Sequence, residues 1–203
     1  MLELLLATGN SGKIQELHAL LCSLPLELRT PYDLGLDLEI PETGSSYAQN
    51  ALMKAHAYAQ ASGLWALADD SGLEVDLLDG APGLHSARLA GPSSSDRIRR
   101  QHLLQLLQPH PRPWRARFRC VVALVHLTKA QITAQGICSG EIIPTERGEH
   151  GFGYDPIFLV DGTGKTMAEL EMQAKNRLSH RARAIEALLP EACGLLGIGR
   201  TKG

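Results

Sequence analysis

The sequence predicts an α/β or α+β fold built on a mixed sheet. Short apolar runs of strand length alternate with stretches whose apolar residues recur every three or four positions, the spacing of an amphipathic helix. The chain opens in the order strand, loop, helix. Hydrophobic residues make up 44% of the 203 positions but aromatics only 4%, so the chain can build a sizeable core and that core is aliphatic.

Residues 2–7 form the first apolar run and break at Thr8-Gly9-Asn10, which reads as a buried strand entering a turn. Ser11 then precedes Ile14, Leu17, Leu20, Leu21 and Leu24, a helical face that Pro25 ends. Residues 30–44 read as a loop-rich connection. Residues 46–62 are Ala-rich and read as a second helix, with Gly63 placed to end it. Residues 65–68 make another short strand, which runs into Asp69 and Asp70. Residues 78–95 are rich in Gly, Pro and Ser and read as a long loop. A helix is expected over 98–107, broken by the prolines between 109 and 113. Residues 115–127 alternate and then turn continuously apolar, the strongest strand signal in the chain, with 132–143 as a hairpin partner. A Gly-rich loop at 148–153 follows. The last strong helix is expected over 178–189, closed by Pro190.

Composition excludes several classes. The formal net charge of −2 does not suggest a nucleic-acid glove or a protein that binds membrane surfaces. No stretch approaches the roughly 20 apolar residues of a membrane span, and the N-terminus lacks the basic and apolar regions of a signal peptide. The four cysteines show no CxxC pair and read as free thiols in a reducing cytoplasm. There is no HExxH, no zinc-spaced Cys/His cluster and no GxSxG.

Four segments could carry chemistry. Thr8-Gly9-Asn10-Ser11-Gly12-Lys13 joins a strand to a helix N-terminus, where backbone N–H groups and the helix dipole favour anions and Lys13 adds a full charge. A Walker loop would need Gly at position 7 and Ser or Thr at 14, but the chain has Ala7 and Ile14. An ordinary capped turn is the competing reading. Ala68-Asp69-Asp70-Ser71-Gly72 places two acids after an apolar run, an arrangement that suits a hard cation such as Mg²⁺ but also fits a polar turn. Glu42 is a candidate second carboxylate. Gly151-Phe152-Gly153-Tyr154-Asp155-Pro156 alternates glycines with aromatics, which either admits a flat ligand or plugs the core. Lys175-Asn176-Arg177-Leu178-Ser179-His180-Arg181-Ala182-Arg183 places cations at a helix N-terminus, where they oppose the dipole, so they either recruit an anion or base carbonyl or form a solvated face.

Together these segments resemble the ITP/XTP pyrophosphatase family, which removes inosine and xanthosine triphosphates from nucleotide pools. The resemblance rests on ATGNSGKIQEL at 7–17, ETG followed by Asn-Ala-x-x-Lys-Ala at 50–55, ADDSGLEVD at 68–76, GAPGLHSAR at 80–88, GFGYDPIF at 151–158 and KNRLSHRARA at 175–184, in that order. It implies a single α/β domain over 1–203, with a long mixed central sheet flanked by helices and two lobes with a cleft between them. It also implies a homodimer and Mg²⁺-dependent hydrolysis of ITP, dITP or XTP. Carried over residue by residue, it gives Thr8, Gly9, Asn10, Ser11, Gly12 and Lys13 to the triphosphate, with Lys54 as a further phosphate contact. Asp70 becomes the general base and a metal contact, Ser71 touches substrate, and Glu42 and Asp69 are the candidates for the remaining acidic position at the metal. Phe152, Gly153, Tyr154, Asp155, Lys175, His180 and Arg181 build the nucleoside pocket. Pro41 stands where some relatives have a second acid. His85 and Leu89 stand where relatives often carry Tyr.

Overall fold

Six strands form one mixed sheet in the order β2-β1-β3-β4-β5-β6 in this computed structural model, which describes residues 1–199. Residues 200–203, the end of the expected 1–203 domain, lie outside the described residues. The strands are β1 (Leu2–Leu6), β2 (Leu26–Arg29), β3 (Trp65–Val75), β4 (Trp114–His126), β5 (Ala130–Ile142) and β6 (Phe158–Val160). The helices are α1 (Ser11–Leu21), α2 (Tyr47–Ser62), α3 (Asp96–Leu107), α4 (Met172–Leu178) and α5 (His180–Leu196). The α/β class and the mixed sheet flanked by helices agree with the sequence reading.

The chain divides into two compact units. The first comprises residues 1–70, 120–136 and 181 onward, and the second 71–119 and 137–180. In the first, β1 pairs in parallel with both β2 and β3. Leu4, Leu6, Leu17, Leu21, Trp65, Leu67, Val122, Leu124, Ile185 and Leu188 form its aliphatic core. In the second, β5 pairs antiparallel with β6. Leu73, Val75, Leu103, Leu107, Trp114, Phe118, Ile142, Phe158 and Met167 form a separate core. The three residues between β4 and β5 allow only a hairpin, as expected, because a parallel neighbour needs a longer crossover.

Several boundaries differ from the sequence reading, each for a physical reason. The strand expected to stop at the acids continues through Asp69 and Asp70 to Val75. It can do so because partners meet both carboxylates, as described below. β2 and β6 are only four and three residues long, too short to leave a periodic signature. Residues 83–88 of the expected long loop form a 3-10 turn. α5 passes through Pro190 and continues to Leu196. Pro190 and Glu186 are both exposed, so water can satisfy the carbonyl that proline leaves unbonded, while Ala192 and Cys193 beyond it are buried.

Candidate active site

In the first unit, the turn after β1 is organised by Asn10. Its backbone N–H donates to Thr8 Oγ1 at 3.2 Å, and its side-chain oxygen accepts from the Lys13 N–H at 3.0 Å, capping α1. Gly9, Asn10 and Ser11 are exposed and Gly12 is half-buried, so the N-terminal turn of α1 is open to an anion. Lys13 leans inward, with its Nζ 3.1 Å from Asp69 Oδ2.

Asp69 and Asp70 are neighbours in β3, and alternation sends their side chains to opposite faces with different partners. Asp69 is 1% exposed. Its Oδ2 accepts from Arg181 Nε at 3.2 Å and Nη2 at 2.9 Å, and from the Cys120 thiol at 3.8 Å. Arg181 is itself wholly buried and also bonds Glu16 through Nη1. Burial opposes the charge on Asp69, but Arg181, Lys13 and Lys54 outweigh it and hold the carboxyl far below the ordinary carboxylate range. Asp69 Oδ1 is buried and finds no hydrogen-bond partner among the described residues.

Asp70 faces α2. Asn50 Nδ2 donates to its Oδ2 at 2.9 Å, and Lys54 Nζ stands 3.5 Å from its Oδ1. Asn50 and Lys54 are four apart on α2, so one helical face presents both. Lys54 also reaches Glu42 Oε1 at 2.8 Å. The Asn50 side-chain oxygen accepts from the Gly44 N–H at 2.8 Å, which ties the Glu42 loop to the same residue. A Cβ at Gly44 would stand 2.6 Å from that oxygen, which explains the glycine. Burial pushes the Asp70 carboxyl above its usual value, against Lys54 and the Asn50 amide. Burial also works against the Lys54 ammonium, but Asp69, Asp70 and Glu42 outweigh it and raise its pKa.

Asp70 and Glu42 suit Mg²⁺, which commonly takes one or two protein carboxylates and completes its shell with water and phosphate. Among the described residues no group of three or more His, Cys, Asp or Glu side chains forms a ready cage. Asp69 fits a metal poorly, because its Oδ2 already faces two cations and its Oδ1 is buried.

The second unit carries the glycine–aromatic loop. The Phe152 N–H donates to Asp155 Oδ2 at 3.0 Å, and Lys175 Nζ reaches the same oxygen at 2.7 Å. Asp155 and Lys175 are each 4% exposed. Lys175 Nζ lies 5.4 Å from the centroid of the half-buried Phe152 ring. The Tyr154 hydroxyl donates to the Ser86 carbonyl at 2.9 Å, and burial pushes its pKa up to about 12. Tyr154 therefore anchors the loop. The His180 ring stacks on Phe118 at 4.8 Å and 17°.

The structure thus gathers Lys13, Asp69 and Arg181 into one group and Glu42, Lys54 and Asp70 into an adjoining one. It gathers Phe152, Asp155 and Lys175 into a third group. Ser71 is half-buried at the start of the second unit. The sequence reading gives no site role to Glu16, Asn50 or Cys120, although Glu16 and Asn50 lie inside its motifs. The four-residue spacing of Asn50 and Lys54 is a signal that could have paired Asn50 with the lysine.

A mixed α/β fold with an open helix N-terminus beside clustered carboxylates and lysines defines a protein equipped for polyanionic substrates. The Ham1 family profile matches residues 4–191, and the chain belongs to the Ham1 family. It is 46% identical over 199 residues to a dITP/XTP pyrophosphatase of Geobacter sulfurreducens, covering 98% of this chain and all (100%) of that one. It is 47% identical over 191 residues to a dITP/XTP pyrophosphatase of Xanthomonas oryzae pv. oryzae, covering 93% and 96%. Among solved structures, a HAM1 protein from Coxiella burnetii superposes with a TM-score of 0.85 at 41% identity, covering 96% of this chain and 100% of that one. The Staphylococcus aureus Ham1 protein gives 0.82 at 38% identity, covering 95% and 98%.

Proposed function

We propose that this chain is a nucleoside triphosphate pyrophosphatase that hydrolyses non-standard purine nucleotides (ITP, dITP and XTP) to the monophosphate and pyrophosphate with Mg²⁺. The observation that carries the reading is the Asp70 cluster: a carboxylate held by Asn50 and Lys54, with Glu42 on the same lysine. The full-length similarity to named dITP/XTP pyrophosphatases supports the substrate class.

In this reading Thr8, Gly9, Asn10, Ser11 and Gly12 present backbone and side-chain donors to the triphosphate, and Lys13 and Lys54 supply its countercharge. Asp70 orients the attacking water and accepts its proton. Its raised pKa brings the carboxyl nearer to neutrality, which makes it a stronger base than a solvated carboxylate. Glu42 and Asp70 are the carboxylates that would hold Mg²⁺. When bound, the ion neutralises phosphate charge and makes water easier to deprotonate. Asp69 acts as the buried counterion that fixes Lys13 and Arg181. Ser71, Phe152, Gly153, Tyr154, Asp155, Lys175 and His180 serve the substrate and its nucleoside, as the resemblance implies.

Selection rests on the purine 6-position, where a donor meets a keto oxygen in inosine and xanthosine but an amino group in adenine. Each mismatched buried group costs about 1–3 kcal/mol. The Arg181 guanidinium is already committed to both Asp69 and Glu16. The Phe152 and Gly153 N–H groups are likewise engaged, by Asp155 and Asp96. The test is pyrophosphate release with Mg²⁺ from ITP, XTP, dITP, GTP and ATP. A kcat/KM several-fold or more higher for ITP than for ATP is expected, and equal values would remove the pocket reading. We further place the protein in the cytoplasm as a homodimer. No described helix is long and apolar enough to cross a membrane, and light scattering should return twice the 22.0 kDa chain mass.

A further inference from the structure

In the second unit, the first two turns of α3 grip the glycine–aromatic loop from both sides of a single residue. The Gly153 N–H donates to Asp96 Oδ2 at 2.7 Å, and Arg100 Nη1 donates to the Gly153 carbonyl at 2.8 Å. Arg100 also forks onto Glu146 through Nε at 3.0 Å and Nη2 at 2.9 Å, so it holds the segment on both sides of Gly148 and Gly151. Arg99 bonds Asp96 and donates to the carbonyl of Ala87 at 2.8 Å, which adds the GAPGLHSAR segment to the same anchor. Asp96 and Arg100 are four apart and so share a helical face, whereas Arg97 and Ile98 are exposed.

Gly148, Gly151 and Gly153 all have positive φ, at 84°, 80° and 62°. A segment with three such residues has little intrinsic preference for one shape. A charge-assisted bond on each side of the Gly153 backbone supplies what the glycines lack. The neighbouring Phe152 ring is then held in one place relative to Lys175.

We propose that Asp96 and Arg100 are positioning residues that set the Phe152–Asp155 loop in its nucleoside-binding shape, and so govern nucleoside affinity and base discrimination without touching substrate. The proposal rests on the functional reading above. Neither residue belongs to the six motif segments of the sequence reading.

Steady-state kinetics of the full chain with Mg²⁺ and ITP test it in Asp96→Ala, Arg100→Ala and Arg100→Lys, with Arg97→Ala as a control on the exposed face. Ser95 caps α3 through the Ile98 N–H, so Asp96→Ala keeps the helix start. In the alanine variants KM for ITP should rise roughly tenfold, the equivalent of one lost charge-assisted bond. Their kcat should stay within about twofold, and the ITP-to-ATP ratio of kcat/KM should fall. Arg100→Lys keeps the charge and stem but not the fork, and it should fall between Arg100→Ala and the parent. Should an alanine variant fail to fold, Arg100→Lys alone carries the same reading of KM. Folded variants with unchanged KM, a drop confined to kcat, or an equal effect from Arg97→Ala would each overturn the proposal. A parent enzyme that treats ITP and ATP alike would instead remove the base-selective pocket of the functional reading, and KM for either nucleotide would still report on the clamp.

Discussion

Asp69 and Asp70 are adjacent and chemically identical, yet the fold assigns them opposite electrostatics. Asp69 is held far below the ordinary carboxylate range by buried cations, and Asp70 is raised by burial. A depressed pKa means that Asp69 contributes stability above its unfolded value of about 3.9, and that this stability is lost only as pH falls below that value. A raised pKa means that ionised Asp70 costs stability at neutral pH, a cost relieved as pH falls toward its folded value. Without Mg²⁺ at pH 7, Asp69→Asn should therefore destabilise the chain by about 3–5 kcal/mol, the usual effect of breaking a buried ion pair. Asp70→Asn should leave stability unchanged or raise it. Urea unfolding midpoints read both, and shifts of the same sign and size would refute the distinction. Activity should follow the opposite pattern for Asp70. Asp70→Asn should keep the fold and lose at least about 10²-fold in kcat, the low end of general-base effects, and near-normal turnover would remove it from that role. The sequence showed two acids after an apolar run, but not which was the counterion. That assignment depends on Arg181, 112 positions away, and on Glu16, and short-range patterns cannot register such partners.

The elements were legible where periodicity was long and illegible where partners decide the outcome. α1 and the β4–β5 hairpin follow their apolar spacing, and α2 its alanine-rich run. β3 outruns its apolar segment because partners satisfy its acids, and α5 outruns Pro190 because buried residues lie beyond it. The glycine–aromatic loop shows the same limit. Its glycines are visible in the sequence, but their separate reasons are not. A Cβ on Gly151 would stand 2.1 Å from Asp155 Oδ2 and 2.9 Å from Lys175 Nζ, whereas one on Gly153 would meet nothing within 4 Å among the described residues. Gly151→Ala must therefore displace a buried ion pair as well as strain a residue at φ +80°, and should cost about 3 kcal/mol or more. Gly153→Ala carries only the left-handed strain of about 1–2 kcal/mol. Thermal unfolding of the two variants would show the ordering, and a Gly153 effect as large as that of Gly151 would contradict it.

At the scale of the molecule, each unit is assembled from segments far apart in the chain, and the boundary in β3 falls between Asp70 and Ser71, inside the ADDSG motif itself. The first unit is completed only by α5, which supplies Ala184, Ile185, Leu188 and Ala192 to its core and Arg181 to Asp69 and Glu16. A chain ending at His180 would leave two buried carboxylates without their guanidinium and strip an aliphatic face from Leu4, Leu17, Leu21 and Leu67. Neither loss can be repaired locally, because uncompensated buried charge and exposed apolar surface both favour the open chain. The chain's two tryptophans make this measurable, since Trp65 lies in the first unit's core and Trp114 in the second's. With Trp114→Phe as background, the full chain should show the blue-shifted emission of a buried Trp65. The chain ending at His180 should show that of a solvent-exposed indole and lack a cooperative thermal transition by this probe. Native-like Trp65 emission in the shortened chain would mean that the first unit closes without α5 and that Asp69 does not require Arg181.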